Sequence, residues 1–188
     1  MERRYWFPKH YADEVQRLRV PLGFAMAGAF LWLAEPTAGS VYLALPFLIL
    51  GLFIRGWAAG HLAKNEDLAM SGPFAHVRNP LYLGTLTAAI GLAVAARSWW
   101  LALLFGVVFI LVYLPAIELE EQHLRTLFPD YPSYASRVPL LMPTGRPLVS
   151  TQRFRPALYG RNQEYKAMLG FFAAMAFLAW RSGILRLP

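Results

Sequence analysis

The chain has 188 residues and a net charge of +7, with 57 % hydrophobic residues, 15 % charged residues and no cysteine. Soluble domains run nearer about 45–50 % apolar and about 25 % charged, so a soluble core of this length is excluded, and the mean hydropathy of +0.38 agrees. Disulfides, thiolate metal ligands and a cysteine nucleophile are excluded as well. The 14 glycines and 14 prolines suit kinked, closely packed membrane helices. The positive charge flanks apolar stretches, where it meets anionic lipid headgroups rather than nucleic acid.

Met1 to Arg19 is charged and aromatic and lacks the pattern of a cleaved signal peptide. Five apolar stretches follow, from Val20 to Ala34, Val41 to Gly60, Pro80 to Ala96, Trp99 to Ile117 and Ala167 to Ala179. A span needs roughly 20 apolar residues, which the second and fourth stretches satisfy; the other three are short and borrow flanking residues. Glu35-Pro36-Thr37-Ala38-Gly39 makes a turn between the first two. Arg97-Ser98 leaves room only for a helical hairpin between spans three and four. Of the 18 Lys and Arg, 15 lie on the N-terminus, on the loop between spans two and three with Arg55 at its start, and on the 118–166 segment, against Arg97, Arg181 and Arg186 on the opposite side. The positive-inside rule then puts the N-terminus and both polar loops in the cytoplasm and the C-terminus outside. The predicted fold is an all-α integral membrane bundle of about five transmembrane helices, with a cytosolic amphipathic segment. Residues 1–188 form a single membrane domain. The Ala-, Arg- and Leu-rich, cysteine-free composition places it in a bacterial inner membrane.

The polar residues cluster in the two cytoplasmic loops. Glu118, Glu120 and Glu121 stand where span four leaves the membrane. They are either a solvated helix end with Glu121 and Arg125 paired at i,i+4, or they include a carboxylate turned into the bundle toward a cationic or hydroxyl-bearing ligand. Arg78-Asn79-Pro80-Leu81-Tyr82 opens span three, and a helix N-terminus offers free N–H groups; an ordinary Asn-Pro helix start with an interfacial Tyr82 reads equally well. Four histidines (His10, His61, His76 and His123) and the single Glu120-x-x-His123 pair fall short of a two-metal bundle site, so no metal is expected. Phe128, Tyr131 and Tyr134 fit an amphipathic interfacial segment broken by Pro129 and Pro132.

Together the two loops become specific. Gly72-Pro73-Phe74-x-x-x-Arg78-Asn79-Pro80-Leu81-Tyr82-Leu83-Gly84 is similar to a G-x-Y-x-x-x-R-(H/N)-P-x-Y-x-G segment. Glu120-Glu121-x-x-Leu124-x-x-x-Phe128, followed by Tyr131, Tyr134 and Val138-Pro139, is similar to an E-E-x-x-L-x-x-x-F…Y-x-x-Y…V-P ending. Both belong to the isoprenylcysteine carboxyl methyltransferase and phospholipid methyltransferase family of integral membrane enzymes, which the chain resembles from about Gly51 to Pro143. Residues 51–143 are then a methyltransferase-like core and 144–188 a C-terminal extension carrying the fifth apolar helix.

The resemblance implies S-adenosylmethionine-dependent methyl transfer to a lipid-like or amphipathic acceptor at the cytosolic membrane face. Carried across, the cofactor residues are Glu66, Asp67, Leu68, Ala69, Phe74, Asn79, Pro80, Leu81, Tyr82 and Glu120. No catalytic residue is fixed; His61, His76 and Tyr82 are the candidates. Ala116 stands where the prenylcysteine branch has an arginine thought to meet the substrate carboxylate, and Asn79 replaces its histidine, which argues against a prenylcysteine carboxylate as acceptor. The extension either closes over the cytosolic loop and helps define the substrate or anchors the chain in lipid. Two other classes fit a helical bundle: a membrane NADPH-dependent sterol-reductase-like enzyme, and a non-catalytic transporter or scaffold. Against the last, the polar residues gather at one face rather than at mid-bilayer. The sequence identifies neither the acceptor nor the oligomeric state.

Overall fold

The computed structural model describes residues 6–143, 148 and 152–185. Arg3, Arg4, Arg146 and Arg186 of the charge count, and the side chain of Arg19, lie outside the described residues, as does most of 144–151 at the start of the extension. Among the described residues the chain is all-α, with no strand. The helices are α1 (Lys9–Leu33), α2 (Ala38–Ala59), α3 (Pro80–Ala96), α4 (Trp99–Val108), α5 (Leu114–Leu127), α6 (Tyr131–Arg137), α7 (Pro156–Arg161) and α8 (Tyr165–Arg181). A short 3-10 turn covers Gly72–Ala75, and one π-helical turn, Phe109–Tyr113, joins α4 to α5 in a continuous rod.

Two helices, α2 and the rod Trp99–Leu127, are long and apolar enough to cross a membrane; Pro21–Leu33 and Pro80–Ala96 are shorter apolar helices. Their outer faces carry Tyr42, Ile49, Phe53, Leu103 and Ile110, all exposed, which is the surface of a lipid-facing helix rather than of a soluble core. Trp32, Trp99, Trp100 and Trp180 are exposed at one end of the bundle, Trp99 by 89 %. Arg181 donates to the Leu31 carbonyl at that same end. Such a tryptophan belt marks a membrane–water boundary.

Local chemistry fixes the helix ends. Thr37 and Ser40 form a reciprocal cap at the start of α2: the Thr37 N–H donates to Ser40 Oγ at 3.0 Å and the Ser40 N–H to Thr37 Oγ1 at 3.3 Å. Ser40 Oγ in turn donates to the Ala95 carbonyl at 2.8 Å, tying α2 to the end of α3. Arg97 ends α3 in the left-handed region, φ 52 and ψ 30, and the Ser98 side chain caps α4. The main partner of α3 is α2 rather than its sequence neighbour α4. Small residues make that approach possible: a Cβ on Gly51 would lie 2.6 Å from the Gly84 carbonyl oxygen, and one on Gly91 would meet Leu48 at 3.0 Å. Between α3 and α4 lies instead an apolar cleft of about 560 Å³ lined by Leu86, Ala93, Ala102 and Phe105.

The π-turn has an identifiable cause. Pro115 has no N–H, so the Leu111 carbonyl loses its α-helical donor. The Tyr11 hydroxyl of α1 donates to that carbonyl at 2.7 Å. This bond and the Val15–Val108–Val112 cluster hold α1 against the rod. The opposite group is α2, α3 and α8, joined by the cluster around Leu48, Ala88 and Leu178. The two groups meet at the tryptophan end, where the Phe30 and Phe177 rings lie 6.0 Å apart.

Candidate active site

At the other end the two groups enclose a cavity of about 940 Å³. Its walls come from the 62–69 loop, the Phe74 turn, the start of α3, the Tyr113–Leu124 stretch of the rod, and α1, α6 and α8. Of the ten expected cofactor positions, Asp67, Leu68, Ala69, Phe74, Asn79, Pro80, Leu81, Tyr82 and Glu120 all line it. The remaining one, Glu66, is exposed and pairs with Arg161. That bond, then the charge of Arg161 and of Arg155, holds its carboxyl below the ordinary range.

The three glutamates of the rod have three different surroundings. Glu120 is exposed to the cavity and accepts the Tyr82 hydroxyl at 3.1 Å. Glu121 is buried: its Oε1 lies 3.2 Å from Arg78 Nε and accepts from Asn79 Nδ2 at 3.3 Å. The expected Glu121–Arg125 pair is absent because Arg125 instead sits over the Tyr131 ring, 5.4 Å from its centroid. Glu118 is also buried and caps the N-terminal segment, accepting from the N–H groups of Trp6 and Phe7. Asn79 stands at the N-cap position of α3 (φ −123, ψ 59) without a side-chain capping bond; its buried amide instead joins Glu121 and the Leu140 carbonyl, and it also lines the cavity. Its N–H and that of Arg78 donate to the carbonyls of Leu140 and Pro139 at 3.2 and 2.9 Å, which pins the Val138-Pro139 ending onto the helix start.

Tyr131 and Tyr134, expected in an interfacial segment, are buried in protein. Tyr134 donates to the Phe74 carbonyl at 2.8 Å. Burial pushes both phenols up; the Glu121 carboxylate adds to this, and Arg78 opposes it. Both stay protonated at any physiological pH, and Tyr134 braces the Phe74 turn.

Of the three catalytic candidates, only Tyr82 lines the cavity. His61 is turned behind it, its Nδ1 2.9 Å from Ser71 Oγ and its ring against Trp57 and Phe154. Gly72 (φ +57) allows this, since a Cβ there would meet the His61 ring at 2.7 Å. Burial, then the charge of Arg155, lowers the His61 pKa, so the ring is neutral near pH 7. His76 lies against Trp57, also off the cavity. Among the described residues no three His, Asp or Glu side chains converge as metal ligands.

One element of the site was not anticipated from sequence. Arg55, in sequence one of the cytoplasmic-side charges, lies in the cavity wall with Glu164 of the extension as its partner, Nη2 to Oε2 at 3.0 Å and Nε to Oε1. Its Nη1 donates to Thr85 Oγ1 and to the Leu81 carbonyl at 3.3 Å. An ionisable residue in an apolar helix is itself a pointer to a site. The extension, for which closure over the cytosolic loop was one of the two expected roles, packs against the start of the 60–75 loop. Asn162 Nδ2 donates to the Ala59 and Leu62 carbonyls at 3.0 and 2.9 Å, and the Arg155 N–H to Gly60 at 2.9 Å.

Residues 47–131 match the phospholipid methyltransferase family model. The chain is 32 % identical over 119 residues to protein-S-isoprenylcysteine O-methyltransferase of Schizosaccharomyces pombe, covering 56 % of this chain and 49 % of that one. It is 33 % identical over 91 residues to the cobalt-zinc-cadmium resistance protein CzcN of Cupriavidus metallidurans, covering 47 % of this chain and 42 % of that one. The nickel-cobalt-cadmium resistance protein NccN of Alcaligenes xylosoxydans is 32 % identical over 91 residues, covering 47 % of this chain and 43 % of that one. The chain thus spans less than half the length of each of these curated relatives. No solved structure matches it significantly. Through residues 47–131 the chain is thus similar to the phospholipid methyltransferase family, and through a partly overlapping stretch to an isoprenylcysteine methyltransferase.

Proposed function

We propose that the chain is an S-adenosylmethionine-dependent methyltransferase acting on a lipid-like or amphipathic acceptor at the cytosolic membrane face. The observation that carries this reading is the gathering of nine of the ten expected cofactor positions around one cavity. Its volume of about 940 Å³ is at the upper end of small-molecule pockets, about 300–1,000 Å³, which leaves room for an adenosyl group and part of an acceptor.

The residues fit such a ligand. When bound, S-adenosylmethionine supplies an electrophilic methyl group on a sulfonium. Glu120 and Asp67 offer carboxylates to its cationic groups, and the N-terminus of α3, at Leu81 and Tyr82, is suited to a carboxylate or adenine edge. Phe74 and Tyr82 supply aromatic walls. The work of the protein is then to orient acceptor and methyl donor and to exclude water. An amine or alcohol acceptor also gives up a proton, and the Tyr82–Glu120 pair stands on the cavity wall to take it.

In the membrane we read α1, α2, α3, the α4–α5 rod and α8 as five spans, α3 and α4 forming a hairpin about Arg97. One membrane domain then comprises the 51–143 core and its extension. The Lys and Arg bias supports a cytoplasmic N-terminus and cavity, in what we read as a bacterial inner membrane. Between the two helix groups an amphipathic acceptor reaches the cavity sideways from the bilayer.

Calorimetric titration of S-adenosylmethionine and S-adenosylhomocysteine into detergent-purified protein, beside Glu120→Ala, tests the reading. Binding by the wild type that is lost in the variant is expected. A folded protein that binds neither ligand overturns it.

A further inference from the structure

Helix α8 lies outside the segment matched by the family model, which ends at residue 131. It nonetheless contributes to the cavity. Ala167 and Phe171 line it, on the wall that also holds Arg55 and Thr85. Glu164, at the N-cap of α8, is 8 % exposed and engages the Arg55 guanidinium through both carboxylate oxygens. Glu164, Ala167, Phe171, Ala174 and Leu178 recur at helical spacing on one face, and Leu178 is buried in the core cluster with Ala174 against it. The other face carries Tyr165, Leu169 and Phe172, all exposed. So α8 has a lipid face and a cavity face although both are apolar.

Its position relative to α1 matters as much. The two helices touch at the tryptophan end through Phe30 and Phe177. At the cavity end Asp13 and Gln16 of α1 and Ala167 and Phe171 of α8 line one space, so the helices part around it. The 62–69 loop and Glu120 line the same cavity.

We propose that α8 forms the acceptor-side wall. Its Ala167–Phe171 face receives the apolar part of an amphipathic acceptor, and the Arg55–Glu164 pair is a positioning pair that holds this face in place. This rests on the reading of the cavity as a methyl-transfer site and deepens it.

The absence of cysteine makes the test clean. Single-cysteine variants Ala167→Cys and Phe171→Cys, with Leu169→Cys and Phe172→Cys as lipid-face controls, are placed in phosphatidylcholine nanodiscs. Each is labelled with a charged, water-soluble methanethiosulfonate, with and without monoolein or S-adenosylhomocysteine. Positions 167 and 171 should label at least about tenfold faster than 169 and 172, because a thiol in hydrocarbon does not ionise. Monoolein should slow them several-fold. In the Phe171→Cys background, Glu164→Gln should abolish that protection. Equal rates at all four positions, or protection by S-adenosylhomocysteine alone, overturns the acceptor wall. Unchanged protection in Glu164→Gln overturns the positioning role. S-adenosylhomocysteine binding to the unlabelled wild type is measured in parallel. Its absence alongside monoolein protection would sink the methyl-transfer reading and leave α8 as the wall of an amphiphile site.

Discussion

Adjacent glutamates at 120 and 121 should give opposite phenotypes when each is replaced by alanine. Glu121 and Arg78 have side chains only 9 % and 12 % exposed, and Asn79 adds a bond to the same carboxylate. Removing one member of such a pair leaves an uncompensated charge and costs about 3–5 kcal/mol. At about 2–4 °C per kcal/mol for a chain of this size, that lowers the melting temperature by about 6–20 °C. Glu120 faces the cavity and makes one hydrogen bond, to Tyr82, worth about 0.5–1.5 kcal/mol. Glu120→Ala should therefore melt within a few degrees of wild type while losing S-adenosylhomocysteine binding. Glu121→Ala should melt far lower, yet bind at temperatures where it is still folded. Tryptophan fluorescence melts in detergent, run beside calorimetry, read both quantities. If Glu121→Ala melts with the wild type, or Glu120→Ala falls as far as Glu121→Ala, the division of the pair into ligand contact and scaffold is refuted.

Gly51→Ala puts a methyl group 2.6 Å from the Gly84 carbonyl oxygen and 2.8 Å from the Ala88 nitrogen, both backbone atoms; overpacking of this kind costs about 1–3 kcal/mol, read as a lowered melting temperature. Arg55→Gln should destabilise by about 3–5 kcal/mol, and Arg55→Gln with Glu164→Gln should recover much of it, because the double change leaves no buried charge; additivity in that cycle would show the pair is uncoupled. The folded-state pKa of His61 lies below its unfolded value of 6.5, so as pH falls the unfolded chain takes up that proton first. The His61 contribution is full above pH 6.5 and is lost as pH falls from there through the folded pKa, so melts at descending pH should show an acid limb that flattens in His61→Gln. Tyr11→Phe strips the Leu111 carbonyl of its donor and should cost about 1–3 kcal/mol, less in a Pro115→Ala background, where a backbone N–H returns; equal costs in both backgrounds would refute the proposed cause.

The apolar stretches were legible because a lipid-facing helix writes its length in composition. Pro80–Ala96 is bounded in the sequence by Pro80 and by Arg97-Ser98, and α3 has those ends. Boundaries drifted where apolar and polar halves share one helix. Composition starts the first span at Val20, but α1 begins at Lys9, because the polar half packs on the rod through Tyr11 and Val15. It ends the fourth span at Ile117, but the rod runs to Leu127 and so carries all three glutamates on one rigid element. Adjacency in sequence suggested α3 against α4, yet the closer partner is α2. Gly51, Gly84 and Gly91 were visible as letters, but only the structure sets them against one another.

The site divides along the same line. Motif residues around the Asn79-Pro80 turn were legible because a helix start and its preceding loop are local in sequence. Partners across the bundle were not: no spacing links Glu121 to Arg78 or Glu164 to Arg55. Helical phase still carried part of the answer. At 100° per residue, Glu120 points a quarter-turn or more away from Glu121 and nearly opposite Glu118. Three carboxylates in four residues therefore cannot share one environment, and a solvated helix end was the wrong expectation for two of them. Each buried one had to find a donor or a cation. Glu118 found the N–H groups of the N-terminal segment, and Glu121 found Arg78 and Asn79. That leaves Glu120 as the carboxylate of the three on the cavity wall, which supports the ligand-binding role that the family resemblance implies and that is proposed for it.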